Sequence, residues 1–355
     1  MITKFTISRR SAGDTWDVRD LVLGDPKWVT DLNFAAGTFN FDMLFDGKFY
    51  PINGDKVEFQ WDEKKIFFGY IFKVSFKEDH KFSVTAYDKT RYLKNQDSLV
   101  WPISTISQRF ETVCKMAEIT HKVVNSSDYK LPAEVADSKT YFDMLKSSID
   151  KTQKAIGQMY YIFANYDIVE LRKAPYTNLD IIVGDQSLLT GFSFEKSIED
   201  ASNSVRIVKK NQEKSQQTAA TSSDSSNSTE VSGDDPNSTS FSYTDSSKDN
   251  TQDWGKLQTV ENAKDKANDA QIKERADQLL KEKNRETYTL SLTCLGDTSL
   301  VAGNSVNIRI SDLTGAGFSI SNSAIMKATH TFGTDYKCDL EMKVNEPWLE
   351  NSSSE

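Results

Sequence analysis

Apolar and polar residues alternate with a period of two over most of the first 98 residues. In the stretch GDKVEFQWDEKKIFFGYIFKV, Val57, Phe59 and Trp61 fall on one face and Asp62–Lys65 mark a reversal, which is the pattern of a β-hairpin. The segments TFNFDMLF and KFSVTAYD alternate in the same way. Residues 1–98 are therefore predicted to form a small antiparallel β-barrel or sandwich.

The same pattern returns near the end of the chain. In AGNSVNIRI, Gly303 precedes an alternating run from Val306, as Gly54 precedes the run from Val57. Glycine permits the backbone of a tight turn, and the Asp or Asn that follows each glycine tolerates turn geometry. One such hairpin is ordinary, but two matched hairpins predict a duplicated β-domain.

Between the two β regions, the apolar spacing in residues 99–176 becomes helical. A stripe on one helical face follows Ser104 and Thr105, either of which can cap the start of a helix. The stripe consists of Ile106, Phe110, Val113, Cys114 and Ala117.

A second helix is predicted from a cap at Asp137 or Ser138 to Gly157, which can end it. Two apolar runs then flank a polar tip at Asn165–Asp167, which predicts a hairpin. These helices and this hairpin would form a compact α/β insertion between the two β-domains.

Residues 213–253 are dominated by Ser, Thr, Asp and Asn, and cannot bury enough apolar area to offset the entropy of ordering. They are predicted to form a disordered loop. Residues 254–285 carry a narrow, Ala-rich apolar face surrounded by charges, which predicts one long helix. Both segments would interrupt the second β-domain.

The predicted fold class is α+β, mainly β, with two antiparallel β-barrels. The predicted segments are a first barrel at 1–98, an α/β insertion at 99–176, a second barrel at 177–212 and 286–347, a disordered loop at 213–253 and a long helix at 254–285.

The charge, the apolar runs and the cysteines of the chain argue against several classes of function. The net charge is −9 and the pI is near 5.1, which disfavours generic binding to nucleic acid or anionic membranes. No apolar run approaches the roughly 20 residues that span a bilayer, and the start MITKFTISRR lacks the apolar region of a signal peptide, so a soluble cytosolic chain is expected. Cys114, Cys294 and Cys338 are scattered, which predicts buried free thiols rather than disulfides or a zinc site.

Candidates for catalysis are few. The histidines, His80, His121 and His330, lie in no HExxH motif, and no GxSxG is present. His80 and His330 occupy comparable places near the reversals of two strand pairs, which favours structural roles. The carboxylate pairs Asp62–Glu63 and Glu78–Asp79 lie in charged turns and are predicted to be solvated. We therefore predict no catalytic, cofactor-binding or metal-binding residue.

Several segments together resemble one family. They are GDKVEF with FFGYIF, GFSFEKSIEDASNSVRIV, and ADQLLKEKNRETYTLSLTCLGDTSLVAGNSVNIRI followed by GFSISNSAIMKATHTFGTDYKCDLEM. The chain is similar to the baseplate hub proteins of contractile phage tails, the late-control-D superfamily, and within it to the PBSX-type prophage hubs. The structural signature residues of this resemblance are Gly54, Asp55, Val57, Gly69, Tyr70, Gly191, Gly296, Asp297, Gly303, Val306 and His330.

The resemblance implies a homotrimer with two tail-tube-like β-barrels in each chain. Three such chains would form a pseudo-sixfold ring, which adapts a hexameric tail tube to a trimeric spike around a central channel. The implied partners are the tail tube protein, the central spike protein, other baseplate or wedge proteins and the tape-measure protein, without nucleic-acid sequence recognition or membrane insertion. The protein would be made and assembled in the cytoplasm of the bacterial host and reside in the tail baseplate.

Other functions stay open at the level of sequence. The serine-rich loop is longer than the family leads one to expect, and no hydrolase or peptidoglycan-binding module is appended, so cell-wall degradation is not expected. The alternative is a secreted or surface β-sandwich adhesin or carbohydrate-binding protein with a Ser/Thr linker, against which the absence of a signal peptide counts. The sequence does not separate a phage from a prophage remnant or a bacteriocin.

Overall fold

The computed structural model describes residues 1–210, 239–246, 250–263, 268–318, 320 and 322–344. The chain forms two compact units, one made of Met1–Glu195 with Tyr288–Glu355 and the other of Lys196–Thr287. Within the described ranges, no helix is both long enough and apolar enough to cross a membrane.

The strands of the predicted first barrel follow the alternation of apolar residues. They are β1 (Ile2–Ser8), β2 (Thr15–Asp17), β3 (Val22–Asp31), β4 (Thr38–Leu44), β5 (Lys56–Trp61), β6 (Lys64–Lys77) and β7 (Lys81–Asp88), with short 3-10 helices at Arg19–Leu21 and Lys89–Lys94.

The predicted insertion contains two helices and several short strands. In chain order they are β8 (Gln96–Trp101), α1 (Ile106–Met116), β9 (His121–Val123), β10 (Glu134–Thr140), α2 (Tyr141–Ile156), β11 (Tyr160–Asn165) and β12 (Ile168–Lys173).

The remaining elements complete the described chain. They are β13 (Asn178–Gly184), β14 (Leu189–Ser197), β15 (Ser204–Lys210), β16 (Thr239–Ser246), α3 (Thr251–Trp254), β17 (Gln258–Asn262), α4 (Asp269–Lys283), β18 (Thr287–Leu295), β19 (Ser305–Arg309), α5 (Ser311–Gly315), β20 (Asn322–Thr331) and β21 (Lys337–Val344).

A large sheet organises the first unit. Its order is β14-β18-β21-β20-β3-β4-β7-β6-β5-β1-β2, and β19 also pairs with β20 and β13. Two groups of strands therefore share one order, β3-β4-β7-β6-β5-β1 and β14-β18-β21-β20-β19-β13, joined where β20 pairs with β3. The groups differ at one end, because β1 is antiparallel to β5 whereas β13 is parallel to β19. The fold is thus mainly β and built on a large antiparallel sheet, while closure of each group into a barrel stays a prediction.

Each group of strands has its own apolar core. The first core contains Phe5, Phe39 and Phe59, all fully buried, whose ring centroids lie 4.7–5.6 Å apart. The second core contains Leu290 from β18 and Val306 from β19, together with residues of β20 and β21. A separate core lies in the insertion, where α1 and α2 pack on the β11–β12 hairpin.

The two helices and the hairpin predicted for the insertion are present, but the N-cap of the second helix is a different residue. Thr105, one of the two predicted N-cap residues, caps α1 through a capping box with Gln108. The N-cap of α2 is Thr140, whose hydroxyl accepts a hydrogen bond from the Asp143 N–H, rather than Asp137 or Ser138. Those two residues lie within β10, so the strand occupies the positions that were predicted to start the helix.

The second unit departs from the sequence prediction in its strand pairing. The sequence pattern predicts β15 within the second barrel, but β15 pairs with β16 and β17 in a separate three-stranded sheet. Within 213–253, residues 239–246 form β16, in a stretch whose aromatic residues favour a strand. Of the rest of that predicted disordered loop, 213–238 and 247–249 lie outside the described residues.

The helix predicted for 254–285 is also shorter than expected. It runs over Asp269–Lys283, where Asn268 forms a capping box with Gln271, and its residues Ile272, Ala276 and Leu279 are buried. Residues Gln258–Asn262 form β17 instead, because they pair in parallel with β15. A pairing partner about fifty residues away in sequence therefore outweighs the local helical pattern.

Candidate assembly surface

The first glycine turn is held by two backbone hydrogen bonds to one residue of the neighbouring strand, which we call the backbone bridge, and by one buried carboxylate. Gly54 has a φ of 91°, and its N–H donates to the Ile71 carbonyl at 2.7 Å, while the Ile71 N–H donates to the Asp55 carbonyl at 2.9 Å. The Asp55 carboxylate is buried and accepts hydrogen bonds from the Ile52 N–H at 3.0 Å and from Arg9 at 3.2 Å. The carboxylate raises the pKa of the Arg9 guanidinium above its ordinary value. Sequence reasoning missed Arg9, since nothing local marks it.

The second turn repeats this backbone bridge. Gly303 has a φ of 95°, and its N–H donates to the Ile325 carbonyl at 2.8 Å, while the Ile325 N–H donates to the Asn304 carbonyl at 2.8 Å. The Asn304 side chain donates to the Ser299 carbonyl at 2.9 Å. A Cβ added at Gly303 would overlap the buried ring of Tyr161, so this position excludes a side chain.

The two turns lead into strands with matching irregularities. The register between β6 and β7 shifts between Ile71 and Lys73, and that between β20 and β21 shifts between Ile325 and Lys327. In both groups, the irregularity of the ladder therefore comes directly after the residue that forms the backbone bridge, Ile71 or Ile325. This match aligns β6 with β20 residue by residue and places Phe76 at the position of His330. Val57 and Val306, the first apolar residues after the turns, are both buried in their cores.

His330 is a fully buried strand residue with both ring nitrogens satisfied. Its Nδ1 lies 2.8 Å from the Tyr336 hydroxyl and its Nε2 lies 3.1 Å from the Leu300 carbonyl. Burial lowers the pKa of His330 to about 4, so the imidazole is neutral, with the proton on Nε2 and Nδ1 accepting from Tyr336. The Trp28 ring stacks on it at 5.0 Å, directly across the β3–β20 pair. These contacts give His330 a structural role.

His80 does not share this environment. It lies exposed in the β6–β7 turn with a φ of 57°, whereas His330 is buried near the end of β20. The two histidines therefore lie near matching reversals, as predicted, but not at matching positions. In the alignment of β6 with β20, His330 matches Phe76, four residues before His80. The residue directly before β21, as His80 is directly before β7, is Tyr336. His121 lies apart from both and contacts the Ile119 carbonyl through Nδ1 at 2.8 Å.

Two further signature glycines mark close approaches. A side chain at Gly69 would meet the Tyr87 carbonyl and the Phe67 ring, and one at Gly296 would meet the Tyr336 ring. Both residues are therefore needed for packing rather than for chemistry.

The remaining signature residues lie apart from one another. Tyr70 on β6 is half-buried beneath the Arg10 guanidinium, which lies 4.9 Å from its ring centroid. Asp297 accepts hydrogen bonds from the Ser299 N–H and hydroxyl. Burial alone would raise the pKa of Asp297, but these hydrogen bonds outweigh burial and the pKa is lowered. Gly191 lies on β14 with open space where a side chain would project.

The three cysteines are buried free thiols, as predicted. Burial raises the pKa values of Cys114 and Cys294 to about 12, and that of Cys338 also rises, so all three thiols are protonated at neutral pH. Within the part of the chain that the structure describes, no group of three or more His, Cys, Asp or Glu is placed to hold a metal ion.

The aligned strands differ in what covers their edges. In β20, Lys327–Thr331 pairs with β3, but the matching stretch of β6, Lys73–Lys77, pairs among the described strands with β7 alone. We call Lys73–Lys77 the β6 edge. At one end of the sheet, β14 pairs with β18 alone among the described strands, and we call its outer side the β14 edge.

Each open edge carries an exposed aromatic residue. Phe76 on the β6 edge is 55% exposed, and Phe192 on the β14 edge is 38% exposed. Inside the chain, the position that matches Phe76 is His330, which Trp28 of β3 covers. Unpaired strand edges with exposed apolar side chains are typical sites of strand addition.

The fold is that of a phage tail protein. The structure matches the 43 kDa tail protein of prophage MuSo2 from Shewanella oneidensis with a TM-score of 0.66, over 97% of this chain and 98% of that chain, at 10% sequence identity.

Sequence comparison gives the family. A family model of YqbQ-like proteins matches residues 26–232 and 223–343, and the chain belongs to this family. The uncharacterized protein YqbQ of Bacillus subtilis strain 168 is 24% identical over 269 residues, which cover 75% of this chain and 74% of YqbQ. XkdQ, a protein of the phage-like element PBSX in the same strain, is 25% identical over 241 residues, which cover 67% of this chain and 66% of XkdQ.

Proposed function

We propose that the protein is the structural baseplate hub of a contractile phage tail or phage-tail-like particle. Three copies form a pseudo-sixfold ring around the central channel and join the hexameric tail tube to the trimeric spike. The YqbQ-like family, with a relative from the phage-like element PBSX, and the tail-protein fold support this role. The doubled strand order supports the symmetry, because a trimer can match a sixfold partner only if each chain offers two similar surfaces.

The observation that carries the proposal is the pairing of β20 with β3 inside one chain. In the doubled strand order, β6 corresponds to β20 and β14 corresponds to β3. The β6 edge and the β14 edge then correspond to the two sides of the β20–β3 contact, and each lacks its partner strand among the described residues of one chain. We expect the β14 edge of one copy to pair antiparallel with the β6 edge of the next, and three such contacts to close the ring.

A specific register follows from the internal contact. If Phe192 lies opposite Phe76, as Trp28 lies opposite His330 within the chain, an antiparallel pairing brings Glu195 opposite Lys73. The contact would bury two exposed aromatic rings and set an acidic side chain against a basic one. Cross-strand aromatic and opposite-charge pairs each stabilise a sheet by roughly 0.2–1 kcal/mol.

The same ring defines the partners and location. We expect the tail tube protein on one side, the central spike on the other, and baseplate or wedge proteins and the tape-measure protein nearby, with no nucleic-acid sequence recognition or membrane insertion. The role is structural and needs no catalytic turnover. The protein would assemble in the host cytoplasm and remain in the tail baseplate.

The proposal is tested by the mass of the purified chain in solution, measured by light scattering over a range of concentrations, with imaging of the same sample. A mass of three chains and a threefold ring with a central hole are expected. A single-chain mass at every concentration would contradict the ring.

A further inference from the structure

A cleft outside the proposed ring contact lies between the start of β6 and the β11–β12 hairpin. Its volume is about 340 Å³. Its floor is apolar, since Trp28, Ile66, Phe163 and Val301 line it and are nearly fully buried. Pockets that bind small molecules combine such a floor with a few polar groups at fixed positions.

The rim of this cleft is cationic. Lys64, Lys65 and Arg172 line it, and none of its lining residues carries a carboxylate. The Lys64 ammonium donates to the Thr298 hydroxyl at 3.1 Å, and the Lys65 ammonium lies 5.1 Å from the centroid of the Tyr166 ring. Both lysines are exposed and can turn toward a ligand with little rearrangement.

Arg172 is held in place from several sides. Its guanidinium forms an ion pair with Glu170 at 2.6 Å and lies 4.4 Å from the Phe163 ring centroid and 4.1 Å from that of Tyr176. Glu170 also accepts a hydrogen bond from the Asn165 amide at 3.0 Å. This pair offsets the charge of Arg172, so the uncompensated charge of the rim comes mainly from the two lysines.

Hydroxyl and amide groups complete the rim. Ser299, Thr298, Tyr166 and Asn165 line the cleft together with the three cations. Besides Glu170, two acids lie just outside the lining. Glu58 accepts a hydrogen bond from the Tyr166 hydroxyl at 3.4 Å, and the pKa of Asp297 is lowered in part by Lys64. A phosphate group carries more negative charge and one more acceptor oxygen than a carboxylate, so two lysines beside hydroxyl donors favour phosphate.

We propose that this cleft binds a small ligand in which a phosphate group is attached to an apolar or aromatic body. The phosphate would lie against Lys64, Lys65 and the hydroxyl groups, and the body would lie on Trp28 and Phe163. The proposed hub function does not require this activity, so either can fail without the other.

The test is titration calorimetry of the full chain with phenyl phosphate. Inorganic phosphate probes the rim alone, benzyl alcohol probes the floor alone, and benzoate distinguishes a carboxylate from a phosphate. We expect saturable binding of phenyl phosphate, and weaker binding of each of the other three compounds.

The variant that isolates the rim is Lys64→Gln with Lys65→Gln. Loss of two charge-assisted contacts is expected to weaken phenyl phosphate binding by roughly tenfold or more. The control is Lys115→Gln with Lys122→Gln, two exposed lysines outside the cleft, which should bind like the unaltered chain. No saturable binding in the unaltered chain, equal binding in the rim variant, or benzoate binding as tightly as phenyl phosphate would each overturn the proposal.

Discussion

At the scale of single residues, the two glycine turns have the same backbone and different surroundings. Both residues have φ values near 90°, but a Cβ at Gly303 would meet the Tyr161 ring, whereas a Cβ at Gly54 would meet nothing within 4 Å. The pair therefore separates the cost of backbone strain from the cost of a clash in the core.

We predict that Gly303→Ala lowers the free energy of unfolding by roughly 2–4 kcal/mol, and that Gly54→Ala lowers it by about 1 kcal/mol. The larger effect reflects both strain and overpacking against Tyr161; the smaller reflects strain alone. Urea unfolding of both variants and the unaltered chain measures the difference. Equal effects at the two positions would show that the Tyr161 contact does not restrict the second turn.

The buried imidazole of His330 makes stability depend on pH. Its pKa is lowered from the ordinary value to about 4, so the folded state binds this proton less readily than the unfolded state. The resulting stability is fully present above pH 6.5, the ordinary value, and is lost as pH falls toward 4. Its full size is roughly 3 kcal/mol.

We therefore predict that His330→Gln flattens the decline of unfolding free energy between pH 6.5 and pH 4. Urea unfolding at several pH values measures the slope, so a general loss of stability in the variant does not hide the result. His80→Gln is the control, because His80 is exposed and its variant should keep the original slope. An unchanged slope in the His330 variant would contradict a neutral, buried imidazole.

At the scale of elements, the sequence predicted what local patterns determine. The start of α1 at Thr105 follows from a capping residue and an apolar stripe that are adjacent in sequence. The glycine turns were found because glycine and an alternating run stand side by side. Both signals lie within one element and its flanking residues.

Features that depend on distant partners were missed. The N-cap of α2 is Thr140 because β10 pairs with β8 on both sides of Asp137 and Ser138, through Ala136 and Lys139. Residues Gln258–Asn262 form β17 rather than a helix because they pair with β15. Arg9, directly after β1, contacts Asp55, directly before the paired strand β5, and no spacing in the sequence predicts this contact. Long-range pairing, rather than local propensity, decides such positions.

At the scale of the whole chain, the sequence indicated the duplication but not its consequence for the edges. Two matched turns predicted two similar β-domains, and the structure adds that both follow one strand order and meet through β3 and β20. Among the described strands, the stretch Lys73–Lys77 of β6 and the outer side of β14 are left without the partner that β3 and β20 give each other. The sequence does not reveal the candidate surface. Phe76 and Phe192 stand in runs of alternating apolar and polar residues, as many buried aromatic residues do, so the pattern does not show that they are exposed.

The central claim is that these two edges pair between copies. The most direct measurement is the solution mass of Lys73→Glu, Glu195→Lys and the double variant, with Lys122→Glu, an exposed lysine away from both edges, as the control. Each single variant should lower the fraction of trimer because like charges then face each other, and the double variant should restore it. Trimers that form equally well in all four variants, or a double variant weaker than both single ones, would contradict pairing of the β14 edge with the β6 edge.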